Sequence, residues 1–200
     1  AKYRRPCRIF SSCAAAAIYR RSVFDEIGVF DDMHFAYLED IDVGYRARIY
    51  GYDNLYWPAA MVEHVGSGTS GSKYNAFKVR LAAQNNLYLN YKNMPLLQLL
   101  LNAPGILLGM AVKYAFFQKL GFAREYREGV REGLSTLKNC RKVPFSPERL
   151  RNYLAIEGEL IAATFVYVYE FSSRQLGKIV TAHARREQYR NPAHSRSPVG

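Results

Sequence analysis

Pro95 divides this chain into two kinds of sequence. Before it, short apolar runs alternate with amphipathic stretches and glycine turns, the pattern of an α/β fold. After it the strand signals stop. Leu96 to Phe117 is largely apolar, and Phe122 to Leu137 and Pro147 to Phe171 carry helical spacing. At 200 residues, 49% of them hydrophobic, there is material for one packed domain with an appendage. The reading is therefore an α/β region over 1–93, a helical region over 94–171, and a basic tail over 172–200 expected to be disordered.

Within the first region, Ile9 to Tyr19 is small and apolar and predicts a buried strand or a close-packed loop. Ser22-Val23-Phe24-Asp25 reads as a capping box, with Gly28 placed to end a short helix. Asp31 and Asp32 mark a turn. From Glu39 to Tyr50 the residues Ile41, Tyr45 and Ile49 recur at helical spacing, and Gly51 stands where a helix-ending glycine belongs. The acids Glu39, Asp40 and Asp42 fall in the first turn, with Arg46 and Arg48 near the end, as the helix dipole favours. Leu55-Tyr56-Trp57 predicts a strand closed by Pro58, and Met61-Val62 the beginning of another. Lys73 to Tyr91 predicts an amphipathic helix. In Leu96–Phe117 the Pro104-Gly105 step predicts two shorter helices, lying on a surface or in a core, in preference to one bilayer span.

The chemistry concentrates in two places. Three carboxylates emerge from the aromatic stretch His34-Phe35-Ala36-Tyr37-Leu38, and such crowding is expected to raise the pKa of at least one of them. A carboxylate so placed suits general-base work on a hydroxyl. His64 then leads into Gly66-Ser67-Gly68-Thr69-Ser70-Gly71. Imidazole suits Mn²⁺ and similar ions, although one ligand does not make a site. The loop formally matches a dinucleotide fingerprint, but no strand with a terminal acid follows, and Ser72 stands where a phosphate-binding loop needs lysine. A hydroxyl-rich loop able to cradle a phosphate with main-chain N–H groups remains. Cys7, Cys13 and Cys140 are too few and too scattered for a disulfide framework or a zinc site.

The net charge of +11 calls for an anionic partner: nucleic acid, lipid headgroups or phosphorylated substrates. Arg174, Lys178, Arg185, Arg186, Arg190 and Arg196 form a basic run, yet no RNA- or DNA-binding motif surrounds them, so nucleic acid is not the expected partner. Basic residues near an anionic bilayer each contribute on the order of 1 kcal/mol, which makes a membrane surface the stronger reading. A non-catalytic, membrane-associated binding module is the alternative to an enzyme.

Taken in order, Arg20-Arg21-Ser22-Val23-Phe24-Asp25-Glu26-Ile27-Gly28-Val29-Phe30-Asp31, Tyr37-Leu38-Glu39-Asp40-Ile41-Asp42-Val43-Gly44-Tyr45-Arg46, Gly51-Tyr52 and Val62-Glu63-His64-Val65-Gly66-Ser67 resemble the C-terminal half of a family 2 glycosyltransferase of the bacterial rhamnosyltransferase-like branch. The resemblance covers the first 95 residues or so, and more loosely the later helices. It implies part of a GT-A fold, an α/β/α sandwich, followed by a helical membrane-proximal tail. It also implies inverting transfer from a nucleotide sugar to a polysaccharide or lipid-linked acceptor, with a divalent cation (Mg²⁺ or Mn²⁺), on the inner face of the cell membrane. Asp40 matches the base that deprotonates the acceptor, and Glu39 would orient the acceptor or the helix start. Ser12, Cys13 and Ala14 fall in the segment lining the sugar pocket, joined by Asp42. Ser67 and Ser70 would face the diphosphate, with His64 near the metal. The family's nucleotide-binding half, with its Asp-x-Asp motif, would precede Ala1. The chain alone is accordingly expected neither to bind donor well nor to turn over.

Overall fold

A three-residue strand pair and six helices carry the fold, in a computed structural model that describes the backbone of residues 4–63 and 72–190. In the last helix, side chains are described to residue 170 and at 172 and 173. Strands β1 (Cys7–Ile9) and β2 (Asn54–Tyr56) pair antiparallel, with Cys7 opposite Tyr56 and Ile9 opposite Asn54. Asn54 ties this pair inward, its Nδ2 donating to the carbonyls of Phe10 at 2.7 Å and Gly44 at 3.1 Å. Among the described residues this is the only sheet. The strand expected at Met61-Val62 does not form; both side chains are exposed and have no partner strand. Of the two forms expected for Ile9 to Tyr19, the buried strand does not form, while Ser11 packs closely against Gly44 as in a close-packed loop. β1 ends at Ile9, Ala14–Ala16 make an exposed 3-10 turn, and Ile18 is fully exposed.

Helix α1 (Arg21–Ile27) begins one residue before the expected capping serine. Arg20 is its N-cap and provides no side-chain cap. Gly28 ends it as expected, at φ +79° with its N–H on the Phe24 carbonyl at 2.9 Å. Asp31 then caps a 3-10 turn, Asp32–His34, by accepting from the Met33 N–H at 2.9 Å. Helix α2 (Glu39–Ile49) follows the sequence closely. Its end is a Schellman motif around Gly51 (φ +89°), with Tyr52 N–H on the Ala47 carbonyl and Gly51 N–H on that of Arg48.

Helix α3 (Ala76–Asn93) is capped by Asn75, which accepts from the Lys78 N–H at 2.9 Å. Helix α4 (Leu96–Lys119) is a single helix of 24 residues with Pro104 inside it, not the two expected from the Pro-Gly step. A proline removes one backbone donor and crowds the preceding turn, but here the surrounding leucines and methionine are strong helix formers. Helix α5 (Ala123–Thr136) packs chiefly along α3. Gly129 permits that approach: a β-carbon there would stand 2.2 Å from the Arg80 carbonyl, and one at Gly133 would meet the Leu87 side chain at 2.8 Å. Helix α6 (Leu150–Arg190) runs on where a disordered tail was expected from 172. Its Gln, Arg, Lys, Glu and Ala content explains why a basic composition is still compatible with helix. The remainder of that tail, 191–200, lies outside the described residues.

Two units result, Ala1–Leu154 and Ala155–Gly200. Helices α3 and α5, on either side of residue 93, pack along each other. In the first unit one apolar cluster joins Ile27, Val43 and Ala47, and a second joins Val79, Ala83 and Tyr126. A fully buried polar layer accompanies them, made of Asp42, Arg46, Asn85, Lys92 and Asn93. The second unit is the rest of α6, whose residues Phe165 to Tyr169 are all exposed.

Candidate active site

The acidic first turn of α2 is entered through two consecutive left-handed residues, Tyr37 and Leu38, each at φ +69°. Non-glycine residues in this region cost on the order of 1–3 kcal/mol each and persist only where the surroundings fix them. Asn85 of α3 does that here. Fully buried, it donates to the carbonyls of both Ala36 and Tyr37 at 2.8 Å. The turn brings Asp40 and Asp42 out on opposite sides of the helix, since successive residues rotate by about 100°.

Asp40 stays half-buried at the surface. Its Oδ2 accepts from the Ala14 N–H at 3.1 Å and its Oδ1 from the Ile41 N–H at 2.8 Å. Ser11 Oγ donates to the Asp40 carbonyl at 2.7 Å. The 11–14 segment reaches this position because residue 44 is glycine. A β-carbon at Gly44 would lie 2.5 Å from the Ser11 side chain and 2.8 Å from its Cα. Each carboxylate oxygen thus holds one N–H and retains lone-pair capacity for a further proton or donor. Ala14 thus meets Asp40 directly; Ser12 and Cys13 belong to the same segment, with Cys13 an exposed free thiol.

Next to Asp40, Glu39 Oε2 is buried and has no hydrogen-bond partner. The hydroxyl of Tyr19 is in the same condition. Burial pushes the Tyr19 phenol above its ordinary pKa, and the nearby Asp40 and Glu39 carboxylates add to this, which places Tyr19 in their electrostatic neighbourhood. Tyr19 packs against a tilted Phe24 ring, centres 5.2 Å apart, and edge-on against Phe30, 6.1 Å away. Sequence reasoning missed this residue, and nothing in its local pattern marks it. Gly44 did carry a signal, since a glycine within a helix weakens it unless something must come close.

Asp42, expected among the substrate-binding residues, does not share the surface with Asp40 but turns inward. It is fully buried; Arg46 reaches its Oδ2 through Nε at 2.9 Å and Nη2 at 2.8 Å, and Lys92 reaches the same oxygen at 2.9 Å. Asn93 donates to its Oδ1 at 2.8 Å. Burial by itself would raise the Asp42 pKa, but the charges of Arg46 and Lys92 and the bonds from Asn93 and Lys92 outweigh it and hold the carboxyl below its usual range. Lys92 also pairs with Asp31 at 2.6 Å, and Arg46 donates to the carbonyls of Ile27, Gly28 and Val29. His64, Ser67 and Ser70 lie outside the described residues. Among the described residues no three of His, Cys, Asp and Glu gather to hold a metal ion. The side chains around Asp40 do not by themselves fit a divalent cation.

This geometry, an acid at a helix start with a small-residue segment folded onto it, accompanies a glycosyltransferase-like stretch of sequence. Over 54 residues the chain is 39% identical to the N-acetylglucosaminyl-diphospho-decaprenol L-rhamnosyltransferase of Mycobacterium tuberculosis, in strains CDC 1551 / Oshkosh and ATCC 25618 / H37Rv alike. The likeness takes in 27% of this chain and 18% of the relative's length. No family model matches the chain. No solved structure matches it.

Proposed function

We propose that this chain supplies the acceptor side of an inverting glycosyltransferase of GT-A type, with Asp40 as the general base. The observation that carries the reading is the Ala14 N–H to Asp40 Oδ2 bond, which joins two segments 26 positions apart that the family resemblance associates with sugar transfer. The likeness to a rhamnosyltransferase supports the transferase class. In the reaction Asp40 takes the proton of an acceptor hydroxyl as that oxygen attacks the anomeric carbon of a nucleotide sugar. The bond from that carbon to the nucleoside diphosphate breaks on the opposite face, and the configuration inverts. Glu39 keeps the acceptor or the helix start in register, and Ser12, Cys13 and Ala14 wall the pocket. The donor sugar is rhamnose by the branch resembled, and the acceptor is a lipid-linked or polysaccharide glycan at the inner face of the cell membrane. The divalent cation implied by the resemblance would be held outside the described residues, with His64, Ser67 and Ser70 as candidates toward it and the diphosphate. No step above passes through it.

The test is Asp40→Asn in the protein encoded by the complete gene. Transfer from nucleotide sugar should fall by about 10²–10⁴-fold, the usual contribution of a positioned base, while donor affinity measured by calorimetry stays within about twofold of wild type (roughly 0.4 kcal/mol). Wild-type transfer rates in the variant would remove Asp40 from the role. The second reading, a membrane-associated binding module without catalysis, is favoured by the exposed apolar length of α4. It would prevail if the complete gene product bound membranes and transferred no sugar.

A further inference from the structure

Between α4 and α5 lies a groove of about 680 Å³ that takes no part in the site around Asp40. Met110 and Tyr114 of α4 face Tyr126, Val130 and Leu134 of α5 across it, and Arg127 and Arg131 edge it. Residues 127, 130, 131 and 134 recur at the spacing of one helical face. The neighbouring face, with Tyr126, Gly129 and Gly133, is buried. Ion pairing around α5 is selective. Arg124 holds Glu128 at 2.8 Å and Arg80 of α3 holds Glu132 at 2.6 Å. Among the described residues the Arg127 and Arg131 side chains make no ion pair or hydrogen bond, although Arg127 lies in the field of Glu128. Two unpaired guanidinium groups one turn apart, beside an apolar wall, complement a molecule with a phosphate at one end and hydrocarbon at the other.

Helix α4 says where such a molecule would come from. Leu100, Leu101, Leu107, Leu108 and Val112 are each 59–67% exposed. An apolar surface of this extent marks a membrane or protein contact, and α4 is long and apolar enough to cross a bilayer. Its second half, however, is joined to a charged helix. Tyr126 Oη donates to the Met110 carbonyl at 3.2 Å and stacks on Phe117 at 5.6 Å, while α5 carries Arg124, Glu125, Arg127, Glu128, Arg131 and Glu132. Crossing would draw these charges toward hydrocarbon, where ionised side chains are strongly disfavoured. Lying in the membrane plane avoids this, with the leucines among the acyl chains and the α5 charges at headgroup level.

We propose that α4 and α5 form an in-plane docking element for an anionic phospholipid surface, in which Arg127 and Arg131 hold a lipid phosphate and the groove takes an acyl chain. This rests on the reading of the protein as working at a membrane, but not on Asp40 being the base. The experiment is flotation of the complete gene product with phosphatidylcholine vesicles, with and without phosphatidylglycerol. Wild type should favour the anionic vesicles. R127Q/R131Q should lose roughly thirtyfold of that affinity, from the loss of two near-surface basic residues, with unchanged circular dichroism and unchanged binding to pure phosphatidylcholine. L107Q/L108Q should weaken binding to both. Equal wild-type affinity for the two vesicle types, or full retention of anionic preference in R127Q/R131Q, would overturn the assignment. So would protease accessibility of both ends of α4 from opposite sides of sealed vesicles. A shift of R127Q/R131Q in flotation with normal transfer to a short soluble acceptor isolates this proposal. Failure of transfer in the wild type with normal flotation counts against the catalytic reading alone.

Discussion

Asp40 and Asp42 stand two residues apart on one helix, yet they occupy opposite physical situations. Asp42 is sealed among Arg46, Lys92 and Asn93, and both of its oxygens are engaged. Asp40 is half-buried and keeps bonding capacity, with unpartnered atoms of Glu39 and Tyr19 nearby. A fully paired buried acid fixes structure, since any exchange of its partners leaves a charge uncompensated. An acid with spare lone pairs at a surface can accept a new proton. The difference teaches that an acidic cluster is not uniform: the helix divides it into a buried acid with both oxygens engaged and a half-buried one that keeps bonding capacity.

The largest effect that would break this contrast is at Asp42. Asp42→Ala strands Arg46 and Lys92 in the interior and should cost about 3–5 kcal/mol of stability, measured by urea denaturation; a loss below about 1 kcal/mol, the value of a surface pair, would show that the cluster is not holding the fold. Next comes the turn that separates the two acids. Asn85→Ala removes both bonds to the left-handed pair and leaves two carbonyls unmet, at about 1–3 kcal/mol, and amide exchange at 36–40 should quicken more than elsewhere.

Acidification sharpens the contrast in two stages. Burial holds the His34 imidazole below its ordinary range, against the pull of Asp42 and Asp31. The unfolded chain therefore binds this proton first, and stability begins to fall as pH drops below about 6.5. Asp42 and Asp31 also sit below the ordinary carboxylate range; in Asp31 the bonds from Lys92 and Met33 outweigh burial. Their contribution is intact above pH ~4 and is lost on going lower, through the folded-state values. Each group adds at most about 1.4 kcal/mol per pH unit. In His34→Gln the first stage should vanish from the denaturation midpoint plotted against pH, and the second should remain. The smallest effect belongs to Asp40→Asn, which should change stability by no more than about 0.5 kcal/mol, because its amide oxygen can still accept the Ala14 N–H. A larger loss by calorimetry would mean that Asp40, too, is structural.

Much of α2 was readable beforehand. The spacing of Ile41, Tyr45 and Ile49, the acids in the first turn and Gly51 after the last gave its bounds, because these signals are local and agree. Even the fate of Asp42 had a trace, since Asp42, Tyr45, Arg46 and Ile49 lie on one helical face and all four are buried. Its partners Lys92 and Asn93 did not, being supplied by α3 across about fifty positions. Helix α4 was misjudged for the converse reason. The Pro104 rule is a local prior, and the continuity of its 24 residues prevailed over it. Tyr19 left no trace at all, because its place depends on Phe24, Phe30 and the α2 acids meeting in space.

By itself the sequence determined the helical periods, the stops at Gly28 and Gly51, the apolar length of α4 and the small, apolar character of the segment from Ile9 to Tyr19; that this segment meets an acid came from the fold. Tertiary structure alone decided which acid that would be, for a hydrogen bond depends on three-dimensional approach. That approach rests on residues remote in the chain: Ser11 against Gly44, and Asn85 beneath Tyr37.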